Sequence, residues 1–528
     1  MTSIRTTQIL KSSIQITMLS FISTIFGFLT QIILASRYGT SADMDAYLVS
    51  ITIPYMVVSI FVGSLNYTFV PVFVDNKQKG QNENALKAAN NLFNICIIVF
   101  GTISVLGMIY SENIIIIIAP GLESETKHIA TTLSMIQMPV ILISALSALL
   151  SSIYYSEKSF FLPAMATLSN SVITFFSVFL FANNYGIKTI AIGSMVGSCT
   201  TFIILLPNML RKYHYKMIID FSDNETIRIL KLMVPLLIGA LFYRADNLIQ
   251  RYIASNLTVG SISIIGYSTK LITTTSTLIV SGVSVVLLSH VSELTSNNDS
   301  RGVGDTFLSI FKWLTFIYIP AIIIIIVLGK DIIQLLFQRG QFNSQSTYYT
   351  WICMMLYGGV FYGGIIGAIV TPIFYAYKDT KTVVKIGILG AILQMYLSYL
   401  LTKQLNFFGL PIAYSISNLV TIFIFILLLN KKYINIKFKD MTKMATSVAI
   451  VGILISFLLW EIKYFYLKDI NIILRIFIVG FIGLIMYMGL TFYIKIDEAQ
   501  RLLLYINNTV LGMINTFHNR KNNINIKS

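Results

Sequence analysis

The residues able to do chemistry in this sequence are ionisable groups set inside or against apolar runs. "FYRADNLIQRY" (242–252) carries Arg244, Asp246 and Arg251, and "GYSTKLITTTSTLIVSG" (266–282) carries Lys270 among many Thr and Ser residues. "SRYGTSADMDAYLVSITIPY" (36–55) places Arg37, Asp43 and Asp45 where two apolar runs meet, with Pro54 beyond them. A charged side chain at the centre of a membrane helix costs about 2.5–3.5 kcal/mol on insertion scales, so each such group needs a reason. On a helix, Arg244 and Arg251 share one face with Asn247 and Leu248, while Asp246 points about 200° away from Arg244. Two readings fit this arrangement. The cations, Lys270 foremost, line a polar cavity that receives an anionic head group. Alternatively, Arg244 and Asp246 pair with neighbouring helices and Arg251 snorkels outward.

Signals for bond-making chemistry are missing. There is no GxxxxGK[ST] phosphate loop. No metal-ligand or Ser/His/Asp arrangement is present, and the four histidines, His128, His214, His290 and His518, fall at or beyond the ends of apolar runs. A non-enzymatic protein without a bound cofactor is expected. Cys96, Cys199 and Cys353 are scattered through apolar segments and read as small buried hydrophobes, not as disulfide partners or zinc ligands.

The elements that must position these groups are membrane helices. Of 528 residues, 55% are hydrophobic and only 11% charged, against about 25% charged in a soluble globular domain. Apolar runs near 20 residues, the length that crosses about 30 Å of hydrocarbon, recur along the whole chain. Fourteen spans fit between residues 13 and 494, among them 13–36, 46–72, 231–254 and 262–289. The expected class is all-α: a polytopic membrane protein of about 14 transmembrane helices, without a cleaved signal peptide.

An even count puts both termini on one side. The basic clusters "RKYHYK" (211–216), "KDTKTVVK" (378–385) and "KKYINIKFKDMTK" (431–443) then share that side with the termini. This is the asymmetry of the positive-inside rule, so both termini are expected in the cytoplasm. It accounts for most of the net charge of +16 as a face turned toward anionic lipid, without any need for nucleic acid. The opposite loops are short, 111–128 and 329–345 being the longest. Residues 497–517 have the mixed pattern of an interfacial helix, and the tail after it reads as disordered.

Pro54, Pro139, Pro163, Pro235, Pro320, Pro372 and Pro411 punctuate the spans, as does "GGVFYGGIIG" (358–367). Such residues can bend a buried helix or let two helices pack closely. "ASRYGTSADMDAY" (35–47) also has a weak echo in "ASNLTVGSISIIGY" (254–267), six spans later, as a duplicated transporter would show. At the first of these turns Asp43 is placed to cap the new helix.

"LASRYGTSADMDAYLVSITIP" resembles the signature of the MviN/MurJ family of lipid II flippases. "FVPVFVDNKQKG" (69–80), "IAPGLESET" (118–126), "LFQRGQFNSQST" (336–347) and "YAYKDTKTVVKIG" (375–387) follow in the family's order, the likeness covering roughly residues 15–430. The resemblance implies two six-helix lobes around a central cavity, residues 1–220 and 221–435. Two further spans at 436–496 and a cytoplasmic segment at 497–528 follow, with a groove near the last spans for a lipid tail. It also implies a flippase of the bacterial inner membrane that carries undecaprenyl-pyrophosphate-linked glycan across the phospholipid bilayer by alternating access. The flippase is expected to act as a monomer, and coupling to membrane potential or to a monovalent ion is open. Asp45 matches the family's acid at the start of span two, and Lys270 falls at a basic position of span eight. Thr24 and Thr30 stand where relatives carry span-one arginines, and Val58 and Ser59 replace an arginine pair in span two. A pyrophosphate would therefore rely on Lys270, on Arg37, Arg251 or Arg339, and on neutral donors. The carried lipid is lipid II or a related unit. An O-antigen or capsule unit, or a drug exchanged for a cation, are the alternatives.

Overall fold

The computed structural model describes residues 2–211, 215–217, 219–280 and 283–504. Residues 505–528 lie outside the described residues and take with them much of the expected interfacial helix and the whole tail; residues 212–214 of the first basic cluster do so too. Helix is the regular structure of the described residues, with no strand among them.

The first helices are α1 (Thr2–Tyr38), α2 (Ala42–Ser50), α3 (Thr52–Gln78), α4 (Asn82–Ile109), α5 (Ser111–Ile118), α6 (Ser124–Gln137) and α7 (Pro139–Ser156). After them come α8 (Phe161–Tyr185), α9 (Lys188–Arg211), α10 (Asn224–Ser255), α11 (Ser261–Val280), α12 (Val283–Ser296), α13 (Ser300–Val327) and α14 (Gly329–Phe337). The last are α15 (Ser344–Leu356), α16 (Gly358–Ala376), α17 (Thr380–Leu405), α18 (Gly409–Lys432), α19 (Phe438–Phe465) and α20 (Ile472–Tyr493).

Twelve described stretches are long and apolar enough to cross a membrane, and one of them, Thr380–Lys432, runs 53 residues. A 3-10 turn at Asn406–Phe408 splits that stretch into α17 and α18, two crossings. That makes thirteen crossings among the described residues; α11 and α12 lie on the expected eighth span, which is not among the stretches long and apolar enough to cross.

Prolines set several breaks. The Pro54 ring would clash with the carbonyl of Ser50 in a continuous helix, and α2 ends at Ser50, with Ile51 between it and α3. Pro139 opens α7 at its first position, where a missing N–H costs nothing. Pro163 and Pro411 fall in the first turns of α8 and α18, whereas Pro235, Pro320 and Pro372 lie inside helices that run on.

The chain divides into two compact units. The first is Met1–Tyr267, Leu336–Tyr349 and Gly387–Ala413; the second is Ser268–Leu335, Thr350–Ile386 and Tyr414–Ser528. In the first, Phe61, Leu65, Phe69, Leu92, Leu149 and Ile153 form a core among α3, α4 and α7. There α8 packs on α9 through Gly193 against Ser177 and Gly197 against Asn170. In the second, Phe316, Ile323, Val451, Ile455 and Val479 join α13, α19 and α20, and the Tyr487 hydroxyl donates to the Phe316 carbonyl at 2.7 Å. Within "GGVFYGGIIG", Gly359 and Gly363 take α16 onto Ser415 and Asn418 of α18, while Gly364 faces open space. Phe457, Phe477 and Phe481 are exposed, as side chains facing lipid would be.

Candidate functional site

Within the first unit, three turns that lie far apart in sequence close on one another. Gly39 (φ +53°) follows α1, Gly260 (φ +88°) precedes α11, and Gly340 (φ +56°) lies between α14 and α15. The Gln341 N–H donates to the Ser36 carbonyl at 2.8 Å, the Thr40 and Ser346 hydroxyls share a 2.8 Å hydrogen bond, and the Tyr267 hydroxyl donates to the Gly39 carbonyl at 3.2 Å. Each glycine is required twice. Its φ is left-handed, and a Cβ would strike backbone: Gln341 from Gly39, Thr40 from Gly260, Ser36 from Gly340. Behind these turns the Tyr267 ring packs on Phe337 and Phe342.

Asp45 is the charge inside this knot. It sits on α2, 3% exposed. Its Oδ2 accepts the Gly260 N–H at 2.7 Å and its Oδ1 the Ser263 N–H at 2.8 Å. These are orphan donors at the N-terminus of α11, so Asp45 caps a helix other than its own, where the helix dipole favours a negative charge. The Arg251 guanidinium donates to the Ile262 carbonyl at 3.3 Å, one residue from the same cap. A cavity of about 70 Å³ adjoins Asp45, with Glu123, Thr126, Ser255 and Thr258 on its wall. A carboxylate held by groups of the turn before another helix can act as a latch, since parting the two turns breaks the Gly260 and Ser263 bonds at once.

The remaining candidates separate. Arg37 spans from α1 to α8, donating to Asn183 Oδ1 at 2.7 Å and to the Phe179 carbonyl at 3.2 Å, and so ties two helices. Asp246 accepts its neighbour Asn247's N–H at 2.8 Å, and both Arg244 and Asp246 are half-buried. Arg339 is exposed and donates to the Leu336 carbonyl at 3.1 Å. Lys270 is exposed on α11. Thr30 is 4% exposed and donates to the Phe26 carbonyl at 2.9 Å. Thr24 is exposed and lines a cavity of about 430 Å³ with Ser20, Ser23, Tyr155, Phe160 and Thr167. Asp43 is not the cap of α2. Ser41 holds that position, and Asp43 lies in the first turn, where its charge meets the helix dipole without bonding the end.

Two features escaped the sequence reading. One is the role of the glycines at 39, 260 and 340, whose signal was their place inside the blocks "SRYGT", "LTVGS" and "LFQRGQF". The other, in the second unit, is an ion triad around a buried carboxylate. Asp331 meets Lys463 at 2.7 Å and Arg475 at 2.9 Å, and Lys463 also donates to the Val327 carbonyl at 2.6 Å. These charges sit near span ends and looked like ordinary loop charges in sequence. Cys96 and Cys353 are buried and all three cysteines are unpaired.

A family model described as lipid II flippase MurJ matches residues 34–480. A protein named as a probable lipid II flippase MurJ from Buchnera aphidicola subsp. Schizaphis graminum is 28% identical over 90% of this chain and 96% of its own length. One of the same description from Rickettsia prowazekii is 26% identical over 92% and 98%. Among solved structures, a lipid II flippase MurJ in an inward closed conformation matches with TM-score 0.77 at 23% identity, covering 90% of this chain and 98% of the other. An inward-facing multidrug resistance MATE transporter of the MOP superfamily matches with TM-score 0.69 at 12% identity, over 80% and 96%. Both structures share the fold.

Proposed function

Because the chain belongs to the lipid II flippase MurJ family, we propose that it moves lipid II, or a closely related polyprenyl-pyrophosphate-linked glycan, across the bacterial inner membrane. It does so by alternating access, as a transporter and not an enzyme, and as a monomer. Both termini lie in the cytoplasm, in keeping with the basic clusters at 378–385 and 431–443. No cofactor and no nucleic acid take part, and the cycle draws on membrane potential or a monovalent ion.

The observation that carries this reading is the Asp45 carboxylate on the N-terminus of α11. With the termini inside, the turns 38–41 and 256–260 face outward, and the Asp45 cap is the outer latch. Breaking it frees this face to open, and remaking it resets the carrier. Lys270, exposed on the same helix and not far along it, supplies the positive charge for the pyrophosphate. Asp45 is thereby a gating residue and Lys270 a binding residue.

The deciding experiment is complementation of a strain depleted of its lipid II flippase, with an O-antigen flippase mutant run alongside. Rescue of the first is expected. Rescue of only the second would assign the protein to a polysaccharide unit instead of peptidoglycan precursor.

A further inference from the structure

The cavity around Thr24 lies wholly in the first unit, between α1, the end of α7 and the start of α8. At about 430 Å³ it is within the range of sites for small ligands, about 300–1,000 Å³. Its described lining holds no Lys, Arg, Asp or Glu. Its polar groups are hydroxyls, and where their protons point decides what they can bind.

Thr24 Oγ1 donates to the Ser20 carbonyl at 2.8 Å, and Thr167 Oγ1 donates to the Pro163 carbonyl at 2.9 Å, each reaching one helical turn back. Ser23 Oγ is engaged with Ser171 Oγ at 2.8 Å. A hydroxyl has one proton and two lone pairs. With the proton committed to the backbone, Thr24 and Thr167 present only acceptors to the cavity. Phosphate oxygens are acceptors too, so the pyrophosphate finds no donor in these two threonines and no cation among the described lining residues, only the hydroxyls of Ser20 and Tyr155. A sugar is suited instead: its hydroxyls and an acetamido N–H donate. Tyr155 and Phe160, stacked at 5.6 Å with 25° between their planes, offer ring faces, which are electron-rich, to its C–H groups.

We propose that this cavity takes the sugar of the carried lipid through acceptors on Thr24 and Thr167, and leaves the pyrophosphate to be bound elsewhere. The inference rests on the flippase reading above.

The test uses the full chain in lipid nanodiscs and two probes: a short-chain prenyl pyrophosphate, and the same lipid bearing one N-acetylhexosamine. Wild type is expected to bind the sugar-bearing probe more tightly. Thr24→Val and Thr167→Val, which keep the shape and remove the hydroxyl, should each weaken that probe about fivefold, the worth of one net hydrogen bond. Binding of the bare pyrophosphate should not change. Thr24→Ser should retain the preference, which separates lost chemistry from a folding defect. Equal binding of both probes by wild type, or an equal loss of both in the Val variants, overturns the proposal. Translocation of the sugar-bearing lipid by wild type in proteoliposomes is read in parallel. Its absence counts against the flippase reading, whereas translocation without sugar preference counts against the cavity alone.

Discussion

Replacing Asp45 by alanine tests the latch directly. The carboxylate satisfies two backbone N–H groups, those of Gly260 and Ser263, in a site where Asp45 itself is 3% exposed. A buried donor left without a partner costs about 1–3 kcal/mol, so the closed knot loses about 2–6 kcal/mol. Taking about 3 kcal/mol, at about 1.36 kcal/mol per factor of ten, amide protection at these two positions should fall about 150-fold. Hydrogen exchange followed by mass spectrometry on peptides covering 256–265 reads this loss, and proteoliposome flipping should be abolished while the protein still inserts. Asp45→Asn keeps one acceptor and should lose roughly half as much free energy. Asp43→Ala, two residues away in the same helix and making no cap, should change protection little, since a charge near a helix start is worth about 0.3–1 kcal/mol. Unchanged exchange at 256–265 together with full flipping in Asp45→Ala would refute the latch.

Lys270→Ala should abolish flipping in the same proteoliposome assay with insertion intact, and full activity would remove Lys270 from the binding site. Gly340→Ala combines a left-handed φ with a Cβ placed on the Ser36 carbonyl, so it should lower the melting temperature and unprotect Ser36–Gln341 contacts in hydrogen exchange. Asp379 lies between α16 and α17, where the hydrogen bond from Lys432, then those from Thr382 and Tyr433, hold its carboxyl well below the usual carboxylate range. A depressed carboxylate stabilises the fold above its unfolded pKa, about 4, and the contribution fades as pH falls through the lower folded value. Melting temperature in detergent should therefore be flat from pH 8 to about 5 and fall below about 4, and Asp379→Asn should flatten part of that fall.

Much of this architecture is legible in the sequence because helix length, apolarity and proline breaks are local properties. The end of α2 before Pro54, the start of α7 at Pro139 and the run of crossings from α1 to α20 all follow from residues within a few positions of the event. The family blocks were legible too, and so were Asp45 and Lys270 as charges that need a reason inside apolar surroundings. The echo between 35–47 and 254–267 hinted at equivalent turns.

What only the tertiary structure decided is which groups meet. A helical period says which face a residue occupies, but not which helix that face will find. So Asp45 could be placed near a gate but not on the Gly260 and Ser263 amides, more than 200 residues later. Arg37, a candidate for phosphate, proved to be a tie to Asn183, and Thr30, its companion in the reading, proved buried. "ANNLFN" gave no sign that Asn91 would bond both the N–H and the carbonyl of Asp220 and strap the segment before α10 onto α4. Thr24 came to line a cavity, and its hydroxyl proton turned back along its own helix. Sequence determined where the chain crosses the membrane, through local apolar length. Partners, and whether a hydroxyl offers a proton or a lone pair, depend on distances that exist only once the helices are packed.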